Sequence, residues 1–565
     1  MKVRTVISAL LLFFLFESLA ISESRDYRLC LDCHKGIEKM DGNHDFACEK
    51  CHLVQEDRVR FQNSHDNVHR FPAAPESVEI FCGECHRKEI SMVQNSLHYT
   101  LAGIIGQTRY LWGAQENPKP IYSPLAHSTL ESLPAAPAVP KSAQDLVDDL
   151  LQRRCFSCHM GKVPPQRKGT YRGVGCSVCH VFYSDDGVYS GGDPEMKGRK
   201  GYPEKHAFSK PIPVKQCLHC HNGPRVGADY AGFFEHDYHH SFRTPWRGGS
   251  MPAPIYLMDH HRLSPDIHFQ KGMTCVDCHD QGDVMGTGKL VGWQQEAVKA
   301  DCRDCHNPPA NEKDKRFVVD RHGKGMLFRD RRGRLHPLPG KVKSVPAHNI
   351  KEMQRLHCTS CHAGWGFYDY GLSLFRDDRE DLSQWGAWHL QADERIANIF
   401  DDAGQFLGSD GLPGPWFSGW RFRRWEYLTL GVDVKGRIVP FRPHYQYAIS
   451  FVNRDGELIL DNVTPQRGDQ NGPGRAYMPF FPHTIRPRGR SCEDCHGQSL
   501  AAGEGLGKND GDDLKLTRPD PPVYSGLRML GRNEKEKLMK QTPIFRQIRS
   551  RILWQEMKDT CDNLN

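Results

Sequence analysis

Cys30-Leu31-Asp32-Cys33-His34 is the first of ten blocks that read Cys-x-x-Cys-His. The other nine start at Cys48, Cys82, Cys155, Cys176, Cys217, Cys275, Cys302, Cys358 and Cys492. Their second cysteines are Cys51, Cys85, Cys158, Cys179, Cys220, Cys278, Cys305, Cys361 and Cys495. The blocks use twenty of the 21 cysteines and leave only Cys561. Chance does not place twenty cysteines this way, so the pattern governs every other reading of the chain.

Two thiols three positions apart can each form a thioether to one vinyl group of a protoporphyrin. The next residue, histidine, then stands under the iron as an axial ligand. Five residues thus supply two covalent anchors and one coordinate bond. Zinc is one alternative, but paired Cys-x-x-Cys zinc sites do not require a histidine after every second cysteine. A disulfide framework is another, but such close pairs staple a chain poorly, and 565 residues need no staples. The spacing therefore favours ten covalent haem c groups. Their proximal ligands are His34, His52, His86, His159, His180, His221, His279, His306, His362 and His496.

On these motifs the chain resembles the multihaem c-type cytochromes of bacterial respiration. The motifs span residues 30–496, most of the chain. The resemblance implies a decahaem electron carrier in anaerobic respiration or extracellular electron transfer. Implied partners are other cytochromes and an outer-membrane porin–cytochrome conduit. The alternative is a multihaem oxidoreductase acting on a small nitrogen, sulfur or oxyanion substrate at one open haem. The Cys-x-x-Cys-Lys block of pentahaem nitrite reductases does not occur here.

Twenty histidines lie outside the motifs, twice what bis-histidine ligation of ten irons requires. His44, His268, His348 and His483 stand a few residues before a motif, within short reach of it. His98 follows the third motif in Asn-Ser-Leu-His, which resembles the Ser-x-His segment of multihaem oxidoreductases. His65 and His69 have helical i, i+4 spacing and can serve two haems. His206, His240 and His261 complete the candidate distal set. For each, the plain alternative is a surface or hydrogen-bonded side chain. His219 and His357, each beside a motif cysteine, are weaker candidates.

Charged residues are 25% and the apolar set 38%, which excludes an integral membrane protein with several spans. Residues 1–20 carry Lys2 and Arg4, an apolar run from Val6 to Phe16, and Ser18-Leu19-Ala20. This reads as a signal peptide, with an uncleaved anchor as the alternative. It directs the protein to the periplasm or outer cell surface, with at most peripheral membrane association. The formal charge is +6; removing two cations (Lys2, Arg4) and one anion (Glu17) takes it to +5. Ten haems add on the order of −10 to −20 through propionates and iron state, so the holoprotein is acidic. No basic run or recognition motif points to nucleic acid.

Motif spacing suggests haem triads in residues 21–130, 155–262 and 263–362, with a linker and helix at 131–154. The expected fold is mostly irregular and α, with porphyrin completing the core. Ser142 caps a helix that presents Leu146, Val147, Leu150 and Leu151 on one face. Residues 363–490 hold no haem motif but six of the ten tryptophans. Two strand–turn–strand patterns there, turning at Lys435-Gly436 and Asp455-Gly456, predict a small β element. It serves as a scaffold or as a docking cover. Residues 491–565 hold the last motif, a loop and a basic helix after Thr542, whose face packs on the body or meets a membrane or partner. The oligomeric state and the role of Cys561 are not legible.

Overall fold

The computed structural model describes residues 27–53, 65, 68–164, 166, 169–210, 212–221, 227–235, 260–307, 314–320, 325–339, 346–366, 368–369, 372–379, 414, 416–420, 423–424, 428–444, 447–496, 528–531, 533–534 and 537. The expected signal peptide, His240, the loop before residue 523, the C-terminal helix and Cys561 lie outside them. Among the described residues, no helix is long and apolar enough to cross a membrane.

The chain divides into two compact units, and they interleave in sequence. Unit 1 is Met1–Val93 with Met160–His219; unit 2 is Gln94–His159 with Cys220–Asn565. Motifs one to three share unit 1 with the fifth, whereas the fourth lies in unit 2. In unit 1 the return is made by backbone pairing: Cys176 N–H donates to Ala73 O at 3.2 Å. Gly175, at φ +66°, lies where any Cβ would collide with the Ala73 carbonyl.

Three longer helices stand out. α1 (Val78–Gln94) carries the third motif and breaks at His86, whose φ/ψ of −113°/23° is not helical. α2 (Ala102–Leu111) and α3 (Ala143–Arg153) belong to unit 2. Ser142 caps α3 by accepting from Asp145 N–H, and Asp145 returns the bond to the cap, a reciprocal pair that satisfies two otherwise orphaned donors. Leu146, Val147 and Leu151 are fully buried. Burial of each such side chain contributes about 1.5–3 kcal/mol.

Sheet is more extensive than the sequence patterns suggest. A three-stranded antiparallel sheet joins β1 (Phe317–Val319), β2 (Met326–Arg329) and β3 (Leu335–Pro337). A four-stranded sheet has β4 (Leu372–Asp377), β5 (Trp416–Trp420), β8 (Tyr447–Val452) and β9 (Leu458–Val463) in the order β5-β4-β8-β9. Within it β4 and β8 run parallel. A second four-stranded sheet has β6 (Thr429–Val432), β7 (Ile438–His444), β10 (Ala476–Pro479) and β11 (Arg528–Met529) in the order β10-β7-β6-β11. The two hairpins turn around Lys435-Gly436 and Asp455-Gly456, with both glycines at positive φ. Each hairpin enters a different sheet, because partners from distant sequence pair with its edge.

The main core of unit 2 packs α2 and α3 against the first four-stranded sheet. It gathers Trp112, Leu146, Leu151, Trp416, Ile449 and Phe451. Trp416 Nε1–H donates to Asp149 on α3 at 2.6 Å. The haem-free segment is therefore built into the body: β5 seats the helix that leads to the fourth motif. The second sheet touches the ninth motif, where His357 N–H and Ser360 Oγ–H both donate to Ile438 O at 2.9 Å.

Candidate functional site

Six of the ten motifs form short helical turns of their own. Cys48–His52, Cys302–His306, Cys358–His362 and Cys492–His496 are single helical turns. Cys275–Cys278 is another, and Cys155–Cys158 is a 3₁₀ turn. In the four complete turns, helical i, i+3 and i, i+4 spacing sets the motif's three functional positions on one face; His159 and His279 instead follow their turns in extended backbone. Several turns have a cap the motif pattern does not include. Thr274 pairs with Asp277, and Asp301 with Asp304, each in a reciprocal box. Ser491 and Asp494 exchange bonds in the same way, at 2.9 and 3.3 Å. The signal was present in sequence as Ser/Thr/Asp before the first cysteine and Asp before the second.

Histidines from far apart then meet in pairs. His34 and His65 have ring centroids 6.0 Å apart, His52 and His206 6.2 Å, and His86 and His44 5.9 Å. In unit 2, His221 and His98 are 6.1 Å apart, and His279 and His483 6.2 Å. His306 and His268, and His362 and His348, are both 6.0 Å apart. Each pair joins one motif histidine to one from the candidate distal set. An imidazole nitrogen binds a transition metal at about 2.0–2.1 Å, so two trans rings on one metal have centroids roughly 6 Å apart. The spacing fits a six-coordinate iron.

The outer nitrogens fit as well. Nδ1–H of His52 donates to His69 O at 2.8 Å, and that of His206 to Glu38 O at 2.8 Å. His98 donates to Val284 O at 3.0 Å and His362 to Arg486 O at 3.1 Å. Carboxylates receive three more: Asp193 from His34 at 2.6 Å, Asp41 from His44 at 3.0 Å, and Asp266 from His268 at 2.8 Å, whereas His483 Nδ1 is buried without a hydrogen-bond partner. Asp283 lies 3.3 Å from His279 Nδ1. Donation through Nδ1 fixes the tautomer and leaves the Nε2 lone pair for a metal. Burial, then neighbouring histidines, push His221 and His483 down to about 4, which keeps both rings neutral as ligation requires.

Other candidates fare differently. The His69 ring packs edge-on against Phe81 at 5.0 Å. His69 N–H donates to His52 O at 2.8 Å and not to His65 O, the acceptor that helical i, i+4 spacing would use. His261 lies in the strand His260–Arg262. His219 bonds through both nitrogens, to Gly169 O at 2.9 Å and Gln216 Oε1 at 3.1 Å. His357 caps the ninth motif's turn by accepting from Thr359 N–H. His159 is buried, and its Nε2 donates to Tyr99 O at 2.8 Å.

No disulfide joins any of the twenty motif cysteines. Among the described residues, no three or more His, Cys, Asp or Glu side chains converge as a zinc site requires. The thiols do bring neighbouring motifs together. In unit 1, Cys30 and Cys48 share a hydrogen bond that raises the first thiol and lowers the second. Burial, then Cys176 and Cys51, push Cys82 up to about 11. Motifs one, two, three and five are thus neighbours. In unit 2, Cys220 Sγ meets Cys158 O at 3.5 Å, and His221 feels His279. Burial and Cys305 push Cys278 up to about 12. Cys302 and Cys358 share a hydrogen bond, and Cys495 feels Cys361. Motifs four, six, seven, eight, nine and ten follow one another.

Over 379 residues the chain is 23% identical to the cytochrome c-552 of Haemophilus ducreyi. It is similar to a c-type cytochrome. The alignment covers 60% of this chain and 70% of that cytochrome. No protein-family model and no solved structure matches the chain.

Proposed function

We propose that the protein is an exported decahaem c-type cytochrome that carries electrons in an anaerobic respiratory or extracellular electron-transfer chain. The reading rests on one observation above all. Seven motif histidines each face a second histidine at 5.9–6.2 Å. Haem c supplies one-electron exchange at iron when bound. The paired histidines would hold it, one from each side. That arrangement suits transfer over substrate binding. The cysteine turns supply covalent attachment, and Asp41, Asp193, Asp266 and Asp283 orient the rings. Neighbouring motifs in each unit keep successive cofactors close enough for electrons to hop. The redox partners are other cytochromes, including a porin–cytochrome conduit at the outer membrane.

Haem analysis by pyridine haemochrome and intact mass tests the count. Ten covalent haems per chain are expected, and fewer would overturn the decahaem reading. An EPR spectrum of the oxidised protein dominated by low-spin signals supports a carrier.

A second reading, a reductase or oxidase of a small nitrogen, sulfur or oxyanion substrate, draws on His159. His159 Nε2–H donates to Tyr99 O at 2.8 Å and its ring lies 6.4 Å from that of Phe156, whereas seven other motif histidines face an imidazole. A high-spin haem together with turnover of nitrite, hydroxylamine or tetrathionate would establish that reading over the carrier.

A further inference from the structure

The segment Ile485-Arg486-Pro487-Arg488-Gly489-Arg490 runs directly against the ninth motif and leads straight into the tenth. It is fixed by backbone. Arg486 N–H donates to His362 O at 2.9 Å, and Arg490 N–H to Cys361 O at 2.7 Å. His362 Nδ1–H donates to Arg486 O at 3.1 Å. Gly489 lies against the motif: a Cβ there would make ordinary contacts, 3.8 Å from Cys361 Cβ and 3.9 Å from His362 Cε1.

Two guanidiniums are held in this wrap. Arg490 reaches Gly364 O through Nη2 at 3.1 Å. Nε of Arg486 and Nε of Arg490 are buried without a hydrogen-bond partner. Burial, then the charge of Arg486, hold Arg490 below the usual arginine range, and Asp494 offsets this only in part. Arginine does not lose its proton in proteins, so both charges persist. Two like charges kept half-buried side by side cost stability. A role in folding alone would be served as well by apolar side chains.

We propose that Arg486 and Arg490 act as a fixed cationic bracket that raises the reduction potentials of the ninth and tenth haems. The inference rests on the haem reading above. When one electron passes from an upstream cofactor, which is oxidised, the acceptor site gains one negative charge and no proton needs to move. A guanidinium in a partly dry site stabilises that added electron more than it would in water. The bracket thus biases electrons toward the C-terminal motifs of unit 2. These arginines are positioning residues, since they act through His362 and the two motifs.

The test is a spectroelectrochemical titration of the whole holoprotein carrying Arg490→Gln, Arg486→Gln or Arg490→Lys. Haem content is counted in each. Both glutamine variants are expected to keep ten haems and the low-spin EPR envelope while one or two midpoints move to lower potential. Arg490→Lys, which keeps the charge, is expected to stay near wild type. Unchanged midpoints in both glutamine variants would overturn the proposal, as would an equal fall in Arg490→Lys. If Arg490→Gln loses a haem, Arg486→Gln with Arg490→Lys decides on the same terms. Absence of haem from the wild-type protein would instead defeat the underlying haem reading.

Discussion

His34 Nδ1–H donates to Asp193 Oδ2 at 2.6 Å, although 159 residues separate them. Asp193 is fully buried, and unit 1 brings its two sequence segments together at this bond. The contact orients a motif ring from a position that no spacing rule connects to it.

Replacing Asp193 by alanine is expected to leave the His34 donor without its acceptor. The loss is about 1 kcal/mol, the net worth of one hydrogen bond, since the half-buried His34 can regain water. Urea unfolding of the holoprotein measures it. Asp193→Asn, which keeps an acceptor but loses the charge, is expected to recover most of the stability and to raise the first haem's midpoint potential. Redox titration would refute this if the midpoint fell.

His44 stands just before the second motif but faces His86 of the third at 5.9 Å, with rings tilted by only 14°. His44→Ala should therefore convert one low-spin haem to high spin at the third motif. The signal should vanish when Cys82 and Cys85 are also replaced. It should persist when Cys48 and Cys51 are replaced instead. The reverse pattern in EPR would assign His44 to its sequence neighbour.

Thr274 and Asp277 close a reciprocal cap on the seventh motif, with Thr274 Oγ1–H donating to Asp277 at 2.8 Å. Thr274→Ala is expected to cost about 0.5–2 kcal/mol. Asp277→Ala should cost more, because Asp277 also accepts from Arg331 N–H at 2.7 Å. Denaturant midpoints of the two variants, compared with wild type, check the order.

Asp330 gives an acid-range prediction. Burial opposes its ionisation, but hydrogen bonds from His336 and Arg334 outweigh it and hold the carboxyl at about 2. An unfolded aspartate titrates near about 3.9. The folded value is depressed, so this carboxylate stabilises the fold fully above about pH 4 and loses that contribution as pH falls toward about 2. Wild type should lose more stability across that window than Asp330→Asn. Parallel acid-unfolding curves for the two proteins would contradict it.

Much of the site was legible because its chemistry is local. Cys48–His52, Cys302–His306, Cys358–His362 and Cys492–His496 each close one helical turn from five consecutive residues. The α3 cap at Ser142 and its buried leucines were legible for the same reason: capping and amphipathic spacing act within a few residues. The caps on motif turns were equally local but are carried by residues outside the pattern.

Ligand pairing was not legible, because imidazoles meet through tertiary packing. Of the four histidines that precede a motif, His348 alone meets the ring of the next one, at His362. His44 faces His86, His268 faces His306 and His483 faces His279. His98, just after the third motif, faces His221 of the sixth. The sequence by itself determined where the motifs stand and that spare histidines exceed the need. The tertiary structure decided which histidine faces which, and set the carboxylates behind them. The physical reason is distance along the chain: a helical turn is specified by neighbours, but a pair such as His279 and His483 exists only once separate segments have packed.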